Sequence, residues 1–220
     1  MQSSLDTDVL APCNREGHSC VQVNNKVYLF GGEVNATKEM SSELLQVDIT
    51  VNRNKIQSKW SSIAAAGGEK DSSTTIEDNN LTEYENMGDD GVSKSLEWPQ
   101  ARKYHSATMI SQTQFLIFGG VNRNGECLND TWVFDCTTSQ WTEIKLKDES
   151  SPSPRSFSKI SSIFNPVTES VNVVLMGGYS GGTNAERLGD TYMLDISSSS
   201  SSQWAMVEVG NEMNKPSSTV

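Results

Sequence analysis

Arg102-Lys103-Tyr104-His105-Ser106, Phe115-Leu116-Ile117-Phe118-Gly119-Gly120, Asp130-Thr131-Trp132-Val133-Phe134-Asp135 and Trp141 form an ordered set of parts, and the set recurs on either side of itself. Upstream it reads Arg15-Glu16-Gly17-His18-Ser19, Lys26-Val27-Tyr28-Leu29-Phe30-Gly31-Gly32, Leu44-Leu45-Gln46-Val47-Asp48 and Trp60. Downstream it reads Arg155-Ser156-Phe157-Ser158, Val173-Val174-Leu175-Met176-Gly177-Gly178, Asp190-Thr191-Tyr192-Met193-Leu194-Asp195 and Trp204. A fixed order of parts repeated three times identifies an array of equivalent structural units, and this self-similarity outranks any local propensity.

Each unit reads as strands. The run before every Gly-Gly is short, apolar and rich in Val, Ile, Leu and Phe, which suits a strand covered on both faces. The segment closed by Asp alternates with period two. No stretch sustains an apolar period of 3.6, so little helix is expected. Paired glycines at a strand end permit positive φ and close backbone approach, giving Gly31, Gly32, Gly119, Gly120, Gly177 and Gly178 a structural role. Trp60, Trp141 and Trp204 recur with the repeat and are assigned to the core or to contacts between units.

The spacing is uneven. From Gly31 to Gly119 is 88 residues and from Gly119 to Gly177 is 58, so the first interval carries an insertion. Between Glu69 and Glu97 nine acids face two lysines, which accounts for seven of the chain's net −11 charges. Such composition cannot bury enough apolar surface to offset chain ordering, and the stretch is expected to be a disordered loop. Residues 197 to 202 are a run of serines and also read as loop. The expected organisation is an N-terminal extension 1–11, a first unit 12–63, an acidic insert 64–98, a second unit 99–147, a third 148–209 and a tail 210–220.

Charge and cysteine content narrow the function. A net charge of −11 argues against a surface that neutralises phosphates, so neither nucleic acid nor an anionic membrane is an expected partner. The first residues lack the basic and apolar regions of a secretion signal, and nowhere do about 18 apolar residues run together. The reading is a soluble protein, cytoplasmic or nuclear. Cys13, Cys20, Cys127 and Cys136 have neither C-x-x-C nor zinc spacing, so reduced, partly buried thiols are expected and no metal or cofactor is assigned.

An Arg-x-x-His-Ser element, a strand ending in Gly-Gly, an aromatic strand closed by Asp and a later Trp together resemble the kelch repeat. The likeness covers residues 12–63 and 99–209. Two departures stand out: Ser158 replaces the histidine of the third unit, and Leu44-Leu45-Gln46 stands where Asp-x-Trp is usual. The resemblance implies an all-β fold of three four-stranded propeller blades, and propellers hold roughly four to eight. A partial arc exposes sheet edges and apolar faces, so the missing blades are expected from a longer chain, with a second subunit or degenerate blades as alternatives.

The resemblance also implies a protein-interaction module with no catalysis of its own, binding a peptide or protein at blade-rim loops. The expected contacts are Arg15, Arg102 and Arg155, which precede the first strand of each blade, and Arg123, Tyr179 and Arg187 in loops 121–129 and 179–188. Arginine suits this role because its planar fork pairs carboxylates bidentately. The alternative for the three recurrent arginines is that they only tie blades together. His18 and His105, inside the repeat element, are assigned to packing. Other readings are a substrate-recognition adaptor of a ubiquitin ligase, a scaffold, or an enzyme. Iron-dependent specifier proteins of the kelch type carry Glu-x-x-x-Asp-x-x-x-His, but here Glu126 and Asp130 lead to Phe134, and Glu186 and Asp190 to Leu194.

Overall fold

The computed structural model describes residues 12–52, 55–63, 97–145, 151–166, 170–196 and 202–208. The expected disorder of the acidic insert concerns residues outside this set, apart from Glu97, as do the extension 1–11 and the tail. Among the described residues every regular element is a strand. Three antiparallel four-stranded sheets follow one another along the chain. The first contains β2 (Ser19–Val23), β3 (Lys26–Phe30), β5 (Leu44–Asn52) and β6 (Lys55–Ile63). The second contains β7 (Ser106–Met109), β8 (Gln114–Val121), β9 (Cys127–Asp135) and β10 (Gln140–Glu143). The third contains β11 (Lys159–Asn165), β12 (Ser170–Tyr179), β13 (Arg187–Asp195) and β14 (Trp204–Met206). Two short strands, β1 (Arg15–Glu16) and β4 (Glu33–Val34), pair beside the first sheet.

Local chemistry fixes the hairpins. Asn24, at φ 55°, and Asn25 join β2 to β3, because asparagine tolerates the left-handed region that a two-residue turn demands. Asp135 closes β9 by accepting hydrogen bonds from the N–H groups of Thr137 and Thr138, at 2.8 and 3.2 Å.

Strand β7 packs between β2 and β11, so the first strands of the three sheets lie side by side as they would around an axis. The sheets stack through two apolar seams. In one, Val21, Val23, Tyr28, Phe30 and Leu44 meet Phe115, Ile117, Trp132, Phe134 and Trp141. In the other, Ile110, Leu116 and Phe118 meet Val173, Leu175, Leu194 and Trp204. Alternation along β8 therefore sends Phe115 and Ile117 to one neighbour and Leu116 and Phe118 to the other, the physical meaning of an unbroken apolar run. The expected strands at 27–30, 115–118 and 173–176 lie inside β3, β8 and β12.

The third sheet is covered on one face only. Val173 and Leu175 are buried, whereas Met176, in the place of Phe118, is 52% exposed and Met193 is 41% exposed. The described sheets do not close into a ring.

The asymmetry is measurable. Phe118→Ala is expected to destabilise the chain by about 3–5 kcal/mol, the usual cost of truncating a buried aromatic. Met176→Ala, at the equivalent position, is expected to stay within about 0.5 kcal/mol, as exposed substitutions do. Urea unfolding of both variants checks the contrast.

Candidate functional site

One rim of the arc gathers the turns that enter β2, β7 and β11 together with the loops that leave the Gly-Gly strands. Backbone pairing holds the two sets together: Arg15 and Glu16 lie beside Val34 and Glu33, Lys103 beside Val121, and Ser156 beside Tyr179.

The recurrent arginines point into the protein. Arg102 and Arg155 have no exposed surface. Arg102 donates to both Asp130 oxygens at 2.6 Å and to the Gly119 carbonyl at 3.1 Å. Arg155 repeats the arrangement with Asp190, at 2.5 and 2.9 Å, and the Gly177 carbonyl, and it also lies over the Tyr192 ring. Arg15 donates to Gly31 and Glu43, and its side chain is 4% exposed. Each bond stays within one blade. Buried against their own sheets, these guanidinium groups are not presented at the rim, which corrects the expectation that they contact a ligand, and it is the main chain of Arg102 and Arg155, not the side chain, that bonds the preceding blade. The Arg155 guanidinium holds the Asp190 carboxyl below its ordinary range.

The other three expected contacts are on the surface. Arg123 is exposed and donates to the Met40 carbonyl of the first blade's loop, while Tyr179 and Arg187 are exposed and face each other across β12 and β13. The latter two belong to strand ends and not to the loop, which spans 180–186. Asn122 is buried and caps its own loop, accepting from the N–H groups of Asn124 and Glu126. Of the cysteines, Cys13 and Cys20 are exposed rather than partly buried, and all four are free thiols. Trp141 and Trp204 are buried, and Trp60 is partly so.

The residues that follow each arginine carry a feature not visible in the sequence. Gly17, Tyr104 and Phe157 occupy one repeat position, two after the arginine, and all have positive φ, at 70°, 57° and 55°. Bulky residues seldom sit there. The reason is a hydrogen bond to the preceding blade: Tyr104 N–H donates to Gly17 C=O and Phe157 N–H to Tyr104 C=O, at 2.8 and 2.9 Å. The rings of Tyr104 and Phe157 stack at 4.1 Å. Lys103 lies over the Tyr104 ring and pairs with Glu33 at 2.5 Å, which holds the Glu33 carboxyl below and the Lys103 amine above their ordinary values. The signal available in the sequence was the recurrence of Tyr104 and Phe157 at one offset from the arginine.

His105 sits between the first two blades. Its Nε2 lies 2.7 Å from Ser19 Oγ, its ring meets Phe30 edge-on, and its Nδ1 is buried without a partner among the described residues. Burial, reinforced by the Arg102 charge, pushes its pKa from 6.5 down to about 3. This is a packing residue held neutral, as the repeat position implied. His18, its counterpart on the first blade, is exposed. No group of three or more His, Cys, Asp and Glu among the described residues could hold a metal ion.

A family model described as the KLHDC2/KLHL20/DRC7 Kelch-repeats domain matches residues 61–219. The chain belongs to the kelch-repeat family. Kelch domain-containing protein 1 of Mus musculus is 26% identical over 134 residues, which cover 61% of this chain and 24% of that protein. An F-box/kelch-repeat protein of Arabidopsis thaliana is 35% identical over 116 residues, covering 50% of this chain and 23% of its own. The tRNA wybutosine-synthesizing protein 4 of Saccharomyces cerevisiae is 29% identical over 122 residues, covering 51% of this chain and 17% of its own. The solved structure of YjhT superposes with a TM-score of 0.52 at 14% identity, covering 89% of this chain and 46% of that one, a likeness of fold. These kelch units thus span about a quarter of the first two relatives and about half of the solved chain.

Two outcomes follow for the kelch framework. Arg102→Ala leaves Asp130 facing a vacated buried site and is expected to cost about 3 kcal/mol or more. Arg102→Lys is expected to recover little, because an ammonium lacks the fork. Stability should also fall as pH drops from about 6.5 towards 4. The unfolded chain protonates His105 near its ordinary value, and the folded chain resists until about 3. His105→Gln is expected to flatten that slope in thermal melts recorded across the interval.

Proposed function

We propose that this chain is a protein-interaction module whose partner, a peptide or a protein, docks on the loop-bearing rim through Arg123, Tyr179 and Arg187. One observation carries the reading: of the six arginine and tyrosine positions expected at the rim, these three are exposed, Arg123 on the connection of the second blade and Tyr179 and Arg187 at the strand ends that flank the connection of the third. Connections on a rigid scaffold are where recognition concentrates, because they vary without disturbing the sheets. Two arginines and a tyrosine favour a ligand that accepts hydrogen bonds, such as an acidic peptide. The chain's own field is negative, so the attraction has to act at short range, within a screening length of about 8 Å at physiological salt.

A second reading, a substrate-recognition adaptor of a ubiquitin ligase, draws support from the F-box/kelch-repeat relative. In that case the same rim receives the substrate. The test is affinity capture from native lysate with the parent and with a combined Arg123→Ala, Tyr179→Ala and Arg187→Ala variant. All three side chains are exposed, so the melting temperature should not move. The expected result is a specific partner lost with the variant, and cullin components among the captured proteins would favour the adaptor. A partner retained in full by the folded variant would place recognition elsewhere.

A further inference from the structure

The two apolar seams are filled differently. In the first, Tyr28, Phe30, Phe115, Phe134 and Trp141 stand ring against ring, with centroids 5.0 to 5.9 Å apart. In the second, one such pair, Phe118 with Trp204 at 5.5 Å, is surrounded by Leu116, Val173, Leu175 and Leu194. Leu116 holds the repeat position of Tyr28, and Ile196 that of Cys136. The Tyr28 hydroxyl reaches across the first seam to hydrogen bond Cys136. A leucine and an isoleucine make no such closure, and a cavity of about 760 Å³ opens between the second and third blades. Its walls include Ile110, Val133, Ile144 and Ile196. Gln140, Thr142 and Gln203 also line it, and their side chains make no hydrogen bond among the described residues.

Asp135 lines the same cavity, and its charge is uncompensated. Its counterpart in the first blade, Asp48, stands between Lys26 and Lys59 in the strand register, with the Lys26 amine 4.0 Å away. Asp135 stands between Gln114 and Gln140. Two neutral amides thus replace two cations, and no cation pairs with Asp135 among the described residues. Its Oδ1 accepts from the Thr137 hydroxyl and from the N–H groups of Thr137 and Thr138, whereas Oδ2 accepts from Gln114 Nε2 alone, at 3.0 Å. These bonds, the Thr137 hydroxyl foremost, hold the carboxyl below its ordinary range, so it is charged at neutral pH.

We propose that this cavity receives a peptide segment of a partner protein, with a lysine ammonium on Asp135 Oδ2 and aliphatic side chains two residues to either side of that lysine against Ile110, Val133 and Ile196. One open place on one oxygen suits a single ammonium donor and not the two-pronged fork of arginine. The walls are aliphatic, and an extended chain turns every second side chain to one wall. Gln140, Thr142 and Gln203 offer partners to the peptide groups in between, which need them once withdrawn from water. The volume is on the scale of established ligand sites. An anionic segment is disfavoured by Asp135 and by the net charge of −11. The site lies at the strand ends opposite the Gly-Gly turns and takes a basic ligand, so it is independent of the rim contacts proposed above.

The probe is the capped peptide Ile-Ser-Lys-Ser-Ile, compared with the same peptide carrying glutamine for lysine and with hexylamine. Each is titrated to millimolar concentration into the isotopically labelled full chain and followed by amide shifts. The expected result is saturable shifts at Gln114, Val133, Asp135, Gln140 and Ile196, with Arg123, Tyr179 and Arg187 unmoved. The lysine peptide is expected to bind about fivefold more tightly than the glutamine peptide, the upper range of an exposed ion pair. Gln114→Lys and Gln140→Lys each give Asp135 a cation that Asp48 already has. Both are expected to keep the melting temperature and to bring the two peptides to equal affinity. Absence of shifts at the five amides, equal affinity of the peptides for the parent chain, a lysine preference that survives both variants, or hexylamine binding as tightly as the lysine peptide would each overturn the inference.

Discussion

The close approach of an arginine carbonyl to a pair of glycines is the constraint on which the remaining architecture depends. Gly31 and Gly119 have no room for a Cβ, and the adjoining Gly32 and Gly120 turn their N–H groups to the same carbonyl. That contact sets the distance between neighbouring sheets, and the distance decides which side chains can fill the seams. Phe30, Phe118, Trp141 and Trp204 interdigitate because the backbone has already brought the sheets together. The buried ion pairs serve the same end. By gripping Asp130 or Asp190 and a Gly-Gly carbonyl at once, each arginine fixes its own turn against its own sheet, so the carbonyl faces the preceding blade at a defined angle.

The fold was legible because its signals are local. Gly-Gly after an apolar run and an Asp-closed alternating segment are written within a few residues, and each reports directly on strand geometry. The candidate site was legible only in part. The exposure of Arg123, Tyr179 and Arg187 could be read because residues near loops tend to be exposed. The direction of Arg102 and Arg155 was not, because it depends on partners 28 and 35 residues away, across two strands. Asp130 and Asp190 were visible as repeat positions, yet nothing in their spacing ties them to the arginines before the sheet is assembled.

Tyr104 and Phe157 were hidden for a different reason. Tyr104 precedes His105 and Phe157 precedes Ser158, and the sequence carries no mark of the left-handed backbone beneath them. That conformation costs of order 1 kcal/mol or more for a residue with a side chain, and the interblade hydrogen bond with the ring stack offsets it. Gly17 meets the same demand without strain. One structural requirement is thus satisfied by residues that share no chemistry.

The glycine-to-carbonyl contact between blades is made wholly of peptide groups, and this bears on how such repeats change over time. A junction held by main-chain atoms tolerates almost any side chain that keeps the turn's shape, so the residues that name the repeat can drift while the architecture stays put. The strand register moves the first unit's alignment by one residue, so that Glu43, and not Leu44, stands where the other blades use aspartate; Ser158 in place of a histidine, Glu43 for aspartate and Leu44 for threonine are three such losses in 220 residues. Blades that have shed their signature altogether would still lock onto their neighbours, and a count of units made from side chains alone is a lower bound.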